Sequence, residues 1–307
     1  MEQTKDQSKY MAGNKKKRST LRKLLFCAVV LFVVIIGVFV ALIACNNISM
    51  WSDETFENRL DEALRRSENW VEGSRLDILA DKNAALMTML RECNDVRPNP
   101  VFNGIVRSFL NRSASGYSRS WNREVDPNWP VDKRELNLAI ANDNLDNKWA
   151  LYAIAPEKAE IDHDDLGMFD YEKWHRRQLT HQLFALTMLR DRYEPSKRLD
   201  DLIEHLCQRT GGDLNLNIPV VDIYIQRVAF VLRAGHPQKI RRRWVERIIA
   251  NQQPDGGWND RWFCFTTIRR KPIFSISRTP SDAHATVQAV LALYLVKYRY
   301  PEHFGLK

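Results

Sequence analysis

Cysteine, glycine and proline are all scarce in this chain of 307 residues, which has five Cys, twelve Gly and twelve Pro. Five cysteines are too few for a small fold that depends on disulfides. Glycine and proline at these levels exclude collagen-like repeats and a low-complexity composition. Since 44% of the residues are hydrophobic, the chain is able to build one large domain or two small ones around an ordinary core.

Positive charge is concentrated at the N-terminus. Residues 1–23 hold eight basic and two acidic side chains, so they supply +6 of the net charge of +8. The rest of the chain is almost neutral, whereas a protein that binds nucleic acid carries its basic side chains across a folded surface. We therefore predict no nucleic-acid partner and interpret residues 1–23 as a basic cytoplasmic tail.

A run of 22 residues without a charged side chain, residues 24–45, follows the basic tail. About 20 apolar residues are enough to cross the hydrocarbon core of a bilayer as a helix. Basic residues flank the run on its N-terminal side, as in Lys15-Lys16-Lys17-Arg18, and neutral residues follow it. Because flanking Lys and Arg stay in the cytoplasm, we predict a single-pass signal anchor in the cell membrane, with a cytoplasmic N-terminus and an extracytoplasmic main domain.

A cleaved signal peptide is the alternative to an anchor. Leu42-Ile43-Ala44-Cys45 resembles a bacterial lipobox, in which the cysteine is lipidated, so cleavage and lipidation at Cys45 stay open. Both interpretations place the rest of the chain outside the cytoplasm. There Cys93, Cys207 and Cys264 allow at most one disulfide, whose pairing is open, and no spacing typical of zinc ligands accompanies them. We predict neither a metal nor another cofactor.

Apolar periodicity predicts an all-α fold after residue 45. Some segments have one apolar face at helical spacing, as at Phe56, Leu60 and Leu64. We predict a stalk helix and linker at 46–75 and a domain at 76–307 in which outer helices surround inner ones. The inner helices are expected where the sequence is apolar almost all round, at residues 84–90, 183–189, 228–232 and 289–296.

Residues 113–132 interrupt this helical pattern. They are rich in Ser, Asn and Pro and include Trp121 and Trp129. Such a composition is typical of a loop. We predict a long loop over the surface of the domain.

A partial repeat with a period of 45 residues marks the second half of the chain. Gln208-Arg209-Thr210-Gly211-Gly212 recurs as Gln253-Pro254-Asp255-Gly256-Gly257, and each glycine pair is predicted to end a helix in a left-handed turn. With Trp258, the second copy resembles the QW motif of the α/α toroids of terpene cyclases and protein prenyltransferase β subunits. The resemblance implies a toroid of concentric helical hairpins, complete or incomplete. It also implies a structural role for Gln253, Gly256, Gly257 and Trp258.

The acidic cluster Asp162-His163-Asp164-Asp165 resembles the DxDD motif of class II terpene cyclases. The resemblance implies that Asp164 protonates an olefin, because clustered carboxylates cannot all ionise and one keeps its proton. The alternative is an acidic loop that complements the N-terminus of a helix predicted to begin near Tyr171. We favour the loop, since Leu166-Gly167 stands where the family usually has Thr-Ala.

Polar residues near the starts of the inner helices are better candidates for a site, because in a toroid those starts face a central funnel. Ser281-Asp282-Ala283-His284 brings a histidine and a carboxylate within one helical turn. Such a pair is a competent general base, and Tyr and Arg side chains supply an acid and an anion clamp. For Asp282 the alternative role is a helix N-cap. The candidate catalytic residues are His284, Asp282, Asp222, Arg227 and Tyr224, with His181 and Gln226 beside them.

Three functions fit these features. The favoured one is a binding or scaffold module of the cell envelope, anchored in the lipid bilayer through residues 24–45 and binding an envelope protein or a glycan. The second is a glycan-processing enzyme, a lyase, epimerase or hydrolase, which needs His284, Asp282 and Arg227 to face one cleft. The third is a terpene-cyclase-like enzyme that uses Asp164. A binding module needs no such cleft and presents an exposed apolar patch instead.

Overall fold

The computed structural model describes residues 3–111, 119–142, 145–159, 178–193, 196–217, 219–259 and 281–306. Helix accounts for 78% of the structure, which confirms the all-α prediction. The α-helices in the described ranges are α1 (Gln3–Asn47), α2 (Asp53–Gly73), α3 (Arg75–Ala80), α4 (Ala84–Val96), α5 (Pro100–Asn111), α6 (Asn122–Val125), α7 (Lys133–Asn142), α8 (Leu145–Ile154), α9 (Gln178–Arg192), α10 (Lys197–Leu216), α11 (Asp222–Arg233), α12 (Arg242–Ala250) and α13 (Ala283–Tyr294).

The chain divides into two compact units, residues 1–46 and 47–307. The first unit belongs to the long helix α1, within which Leu25–Asn47 is long and apolar enough to cross a membrane. No part of its apolar stretch is buried in the structure. The predicted N-terminal apolar helix is therefore confirmed, with bounds close to residues 24–45. Its length and composition also fit a signal sequence.

Four helices form the core of the second unit. These are α4, α9, α11 and α13, which contain three of the segments predicted to be inner helices and residues 289–294 of the fourth. The packing is continuous, because α13 contacts α4 and α11, and α11 contacts α9. Every residue from Ala285 to Tyr294 in α13 is buried, as expected of a helix with no polar face.

The helices α2, α10 and α12 bury one face each, as their apolar spacing predicts. In α2 this face includes Phe56, Leu60 and Val71, all fully buried. It packs against α12 and α13, so α2 belongs to the body of the second unit, whereas the sequence places it in a stalk. The reason is its apolar face, which a free stalk would leave in water at a cost of about 25 cal/mol per Å².

The segment that follows α12 joins three helices. Trp258 is buried, and its Nε1 donates to the carbonyl oxygen of Ile248 in α12 at 2.8 Å. Its backbone N–H donates to Oγ1 of Thr286 in α13 at 2.9 Å. Gln252 Nε2 donates to the carbonyl oxygen of Ala63 in α2 at 2.8 Å. The segment that resembles a QW motif thus makes the kind of helix-linking contacts that the resemblance implies.

Gln252, and not the predicted Gln253, provides the side chain that reaches another helix. The side-chain amide of Gln253 donates only to the nearby carbonyl oxygen of Asn251 at 3.3 Å. Its backbone closes the turn instead, since its N–H donates to the carbonyl oxygen of Gly257 at 2.8 Å. Gln253 therefore stabilises this turn through its backbone and not through its side chain.

The first copy of the repeat does not end a helix, contrary to the prediction. Gly211 and Gly212 lie inside α10, which continues to Leu216. The apolar face of α10 explains this, because Leu206, Thr210 and Leu214 are buried on both sides of the glycine pair. Gly211 allows a close approach instead: a Cβ there would lie 3.2 Å from the carbonyl oxygen of Lys239.

The loop predicted at 113–132 is also partly wrong. Residues 119–121 form a 3₁₀ turn that leads into α6, while residues 112–118 lie outside the described residues. Trp121 and Val125 are buried and contribute to the core, which outweighs the loop-like composition around them. This short helical segment therefore contributes residues to the interior of the domain.

Gly256 is the position where the linking turn most needs a glycine. Its φ of 99° is left-handed, and an added Cβ would lie 2.5 Å from the backbone oxygen of Arg66. We expect Gly256→Ala to lower the free energy of unfolding by about 1–3 kcal/mol. Urea unfolding of the full chain in detergent, followed by circular dichroism, measures the change.

Gly212→Ala is the matched control. Nothing lies within 4 Å of a Cβ at Gly212, which is in the helix interior. Alanine there is expected to raise stability by roughly 0.5–1 kcal/mol. Equal effects of the two substitutions would contradict the assignment of Gly256 as a conformationally required glycine.

Candidate functional site

A cavity of about 260 Å³ is lined by residues of the four buried helices, with His181 and His284 near the N-terminal ends of α9 and α13. Residues of α6, of α8, of the 3₁₀ turn at 119–121 and of the turn before α4 complete the lining, which includes charged, polar and aromatic side chains. The described lining residues are Asp81, Lys82, Asn83, Ala84, Ala85, Met89, Trp121, Glu124, Ala150, His181, Phe184, Gln226, Phe230 and His284.

His284 and Asp222 form a side-chain pair at this cavity. Nδ1 of His284 lies 2.9 Å from Oδ1 of Asp222, which joins the first turn of α13 to the first turn of α11. The side chain of His284 is 39% exposed, so a ligand has access to the imidazole. Gln288 Nε2 lies 3.2 Å from Nε2 of the same ring, one turn along α13.

The electrostatics around His284 favour its protonated form. Burial alone lowers the pKa of this histidine. The hydrogen bond to Asp222, the charge of Asp222 and the charges of Asp282 and Asp81 act in the opposite direction and outweigh burial. The pKa of His284 is therefore raised above its ordinary value, which suits a group that accepts a proton near neutral pH.

Asp282, the carboxylate predicted to pair with His284, caps α13. Its Oδ1 accepts a hydrogen bond from the backbone N–H of Ala285 at 2.8 Å. Its own backbone N–H donates to the carbonyl oxygen of Trp258. The contacts of Asp282 are therefore those of a helix N-cap, the alternative role considered for it. Asp222 is the carboxylate in direct contact with the histidine.

Helical spacing on α11 separates the other candidates. Asp222, Gln226 and Phe230 are four residues apart and so share one face, which is the face toward the cavity. Gln226 accepts a hydrogen bond from Thr180 Oγ1 in α9 at 2.5 Å.

Arg227 and Tyr224 lie on other faces of α11 and are buried. Arg227 Nη2 pairs with Asp213 Oδ2 of α10 at 3.0 Å, and the Arg247 guanidinium lies 5.3 Å from the centre of the Tyr224 ring. Burial raises the pKa of Tyr224 well above its ordinary value. Neither residue is among those that line the cavity, so the structure does not bring the predicted anion clamp and tyrosine acid to His284.

Glu124 is a lining residue that the sequence analysis missed. It belongs to α6 and is 1% exposed. Burial raises the pKa of its carboxyl to about 7, although the charges of Arg192 and Arg233 lower it. The helical spacing of Trp121, Glu124 and Val125 was a signal for this segment, but the Ser, Asn and Pro around it favoured a loop.

Lys82 also lines the cavity and has an unusual backbone. Its φ is 55°, a left-handed value that is uncommon for a residue other than glycine. The next residue, Asn83, starts α4 by accepting a hydrogen bond from the backbone N–H of Ala85 at 3.0 Å. The turn formed by Asp81, Lys82 and Asn83 thereby contributes two charged residues to the cavity wall.

Among the described residues, the remaining candidates give no second site. The cluster Asp162–Asp165 with Asp164, and Cys264, lie outside the described residues. Cys93 and Cys207 are buried free thiols, so they do not form a disulfide with each other. In the part of the chain that the structure describes, no group of three or more His, Cys, Asp or Glu side chains is arranged to hold a metal ion.

Comparison with known proteins identifies no relative. No protein-family model, no curated protein and no solved structure matches the chain. The candidate site therefore rests on the geometry of the cavity itself.

The pairing of His284 with Asp222 predicts a specific change on substitution. We expect Asp222→Asn to lower the pKa of His284, because both the hydrogen bond to a carboxylate and its charge are lost. The raised pKa stabilises the fold below the unfolded-state pKa of about 6.5. This stabilisation is lost as the pH rises through the folded-state pKa. NMR titration of the full chain, with the histidine carbons labelled, measures the shift.

Glu204→Gln is the control for this titration. Glu204 forms another histidine pair, with Nδ1 of His236 at 2.9 Å, and it is outside the cavity. We expect this variant to leave the titration of His284 unchanged. An unchanged titration of His284 in Asp222→Asn would contradict the pairing.

Proposed function

We propose that the chain is a single-pass membrane enzyme whose extracytoplasmic domain hydrolyses glycans by acid–base catalysis. The observation that carries the proposal is the His284–Asp222 pair at a cavity that also contains the buried carboxyl of Glu124. In this reaction His284 removes a proton from water and Asp222 stabilises the resulting imidazolium. The proposed enzyme has its N-terminus in the cytoplasm.

The proposed architecture of the domain is an α/α toroid. Three features support it: buried helices that pack side by side, a cavity lined by residues of all four of them, and helices such as α10 with one buried face. The Trp258 segment adds contacts that join α2, α12 and α13. Inner helices that start around a central funnel are what the resemblance to toroids implies.

A carbohydrate suits the chemistry of the cavity lining. Trp121, Phe184 and Phe230 offer apolar surfaces, while Gln226 and His181 offer hydrogen-bonding groups. A sugar ring presents C–H groups on its faces and hydroxyl groups around its edge, so it needs both kinds of contact. An extracytoplasmic domain also has access to the glycans of the cell envelope.

The charges near the cavity favour hydrolysis over elimination from an acidic sugar. Asp81, Asp222 and Glu124 bring three carboxyl groups, and Lys82 brings one ammonium group. Elimination next to a sugar carboxylate needs cations around that carboxylate, and Arg227 is committed to Asp213. We therefore propose neutral or amino-bearing glycans as the substrate class.

The scaffold function favoured by the sequence has less support from the geometry. In the described part of the second unit, five large apolar side chains are exposed. They are Ile48, Met50, Leu76, Leu138 and Leu216. The cavity with the His284–Asp222 pair therefore gives more support to an enzyme than these side chains give to a scaffold.

The proposed hydrolysis predicts a large effect of His284→Asn. Full-length protein in detergent is incubated with a panel of neutral and amino-sugar polysaccharides, and new reducing ends are counted. We expect wild-type cleavage of at least one polysaccharide and a loss of about 10²–10⁴-fold in His284→Asn, the usual contribution of a general base.

His205→Asn is the matched control, because His205 is an exposed residue of α10 outside the cavity. It is expected to keep wild-type activity. If the wild type binds an envelope polysaccharide without producing reducing ends, the scaffold function replaces the enzyme. Equal activity in His284→Asn and the wild type would contradict the role of the histidine.

The membrane anchor predicts that the N-terminus stays attached to the domain. A tag at the N-terminus is expected in the membrane fraction, on a chain of full-length mass, and Cys45→Ser is expected to change neither result. Protease added to intact cells should remove the domain and leave the tag. Loss of the tag in the wild type, restored by Cys45→Ser, would instead indicate cleavage and lipidation at Cys45.

A further inference from the structure

We propose that Glu124 is the proton donor of the cavity, the acid that protonates the leaving oxygen of the glycan. The inference rests on the proposed function and adds a second catalytic residue to it. Glu124 belongs to α6, a helix that contains none of the candidates derived from the sequence.

The first support is the position of the carboxyl group. Glu124 lines the cavity, yet the residue is 1% exposed, and its Oε1 is buried with no hydrogen-bond partner among the described residues. A buried polar oxygen without a partner costs about 1–3 kcal/mol. A ligand in the cavity that presents a polar group to the carboxyl would remove this cost.

The second support is the way in which α6 is held. Arg192 of α9 donates to the backbone carbonyl oxygen of Glu124, and Arg91 of α4 donates to that of Val125. Two helices that line the cavity thus fix the backbone of Glu124 through charged hydrogen bonds. Such preorganisation is what a catalytic side chain requires.

The third support is that no cation directly neutralises the carboxyl. Within the described residues, no Lys, Arg or His side chain forms an ion pair with Glu124. Arg233 of α11 is committed to Glu92 of α4, with contacts of 2.8 and 2.9 Å from its Nε, and it also donates to Thr187 of α9. Arg233 therefore compensates the charge of Glu92 first, and Arg192 contacts the backbone oxygen of Glu124 and not its carboxyl group.

The titration of Glu124 agrees with this geometry. Burial raises the pKa of Glu124 to about 7, and the charge of Glu92 adds to the increase. The charges of Arg192, Arg233 and Arg91 lower it without cancelling the effect of burial. A carboxylic acid with such a pKa keeps its proton near neutral pH and can donate it.

The reaction balances with one molecule of water. Glu124 gives its proton to the glycosidic oxygen, and the bond between the anomeric carbon and that oxygen breaks with its electron pair on the oxygen. His284 takes a proton from water, whose oxygen forms the new bond to the anomeric carbon. Proton transfer through solvent from the imidazolium to the Glu124 carboxylate restores both groups.

Infrared spectroscopy of the full-length protein tests the proton on Glu124 without any substrate. Difference spectra between about pH 6 and pH 8, on either side of the pKa that buried carboxyl groups of this kind reach, report the carbonyl stretch of carboxylic acids. We expect a titrating band in the wild type that is absent in Glu124→Gln and kept in Glu135→Gln, whose residue is exposed on α7. The same band in Glu124→Gln would overturn the proposal.

Kinetics test the donation step. A general acid matters most when the leaving group is a poor one. Glu124→Gln is expected to lose about 10²-fold or more on a natural glycosidic linkage and to stay within about tenfold of wild type on a dinitrophenyl glycoside, whose leaving group needs no proton. Equal losses on both substrates, or no loss on either, would overturn the role of proton donor.

The two proposals fail in different ways. His284→Asn is expected to lose activity on both substrates, because water still has to be activated. Loss in Glu124→Gln together with full activity in His284→Asn supports the proton donor and overturns the histidine base. If the wild type cleaves no glycoside, the proposed function fails and the infrared band alone decides whether Glu124 carries the proton. Thermal unfolding of each variant, with Glu124→Asp as a second substitution, separates loss of folding from loss of function.

Discussion

The first turn of α13 is the constraint on which both the fold and the candidate site depend. Asp282 caps this turn through the backbone N–H of Ala285, and the side chain of Thr286 binds the backbone of Trp258. Trp258 in turn bonds to α12, so one turn fixes the junction of two helices. His284 belongs to the same turn. The contacts that join the helices therefore also set the position of the imidazole.

The apolar surroundings of the cavity explain how its charged groups are arranged. A buried charge is tolerated when it is paired or makes hydrogen bonds. Arg233 satisfies this rule through Glu92, and Arg192 satisfies part of it through a backbone carbonyl. Glu124, by contrast, has no ion pair with a cation among the described residues. Its pKa rises because the buried carboxyl group has a lower free energy when it is protonated than when it is charged.

Much of the helical core was predictable from the sequence, but only part of the site was. Segments that are apolar all round must be buried, which is why the sequence predicts the four buried helices. The sequence also offers His284 as a candidate, but the carboxylate in contact with it is Asp222 on another helix, because Asp282 caps α13. A contact between side chains of two helices depends on how the helices pack, and the apolar periodicity of the sequence does not predict that packing. Glu124 was missed because Trp121 and Val125 hold its segment in the core in spite of a loop-like composition.

Substrate binding would shift both proposed catalytic groups in the useful direction. The reaction needs His284 neutral and Glu124 protonated, whereas the pKa of the first is raised above its ordinary value and that of the second is about 7. In the free protein the raised pKa of His284 opposes the neutral imidazole that the proposed base requires. A sugar that displaces water from the cavity penalises the charged form of each group. Under the proposed function, such a sugar would lower the pKa of the histidine and raise that of the carboxyl, and both shifts favour the forms that the proposed reaction requires.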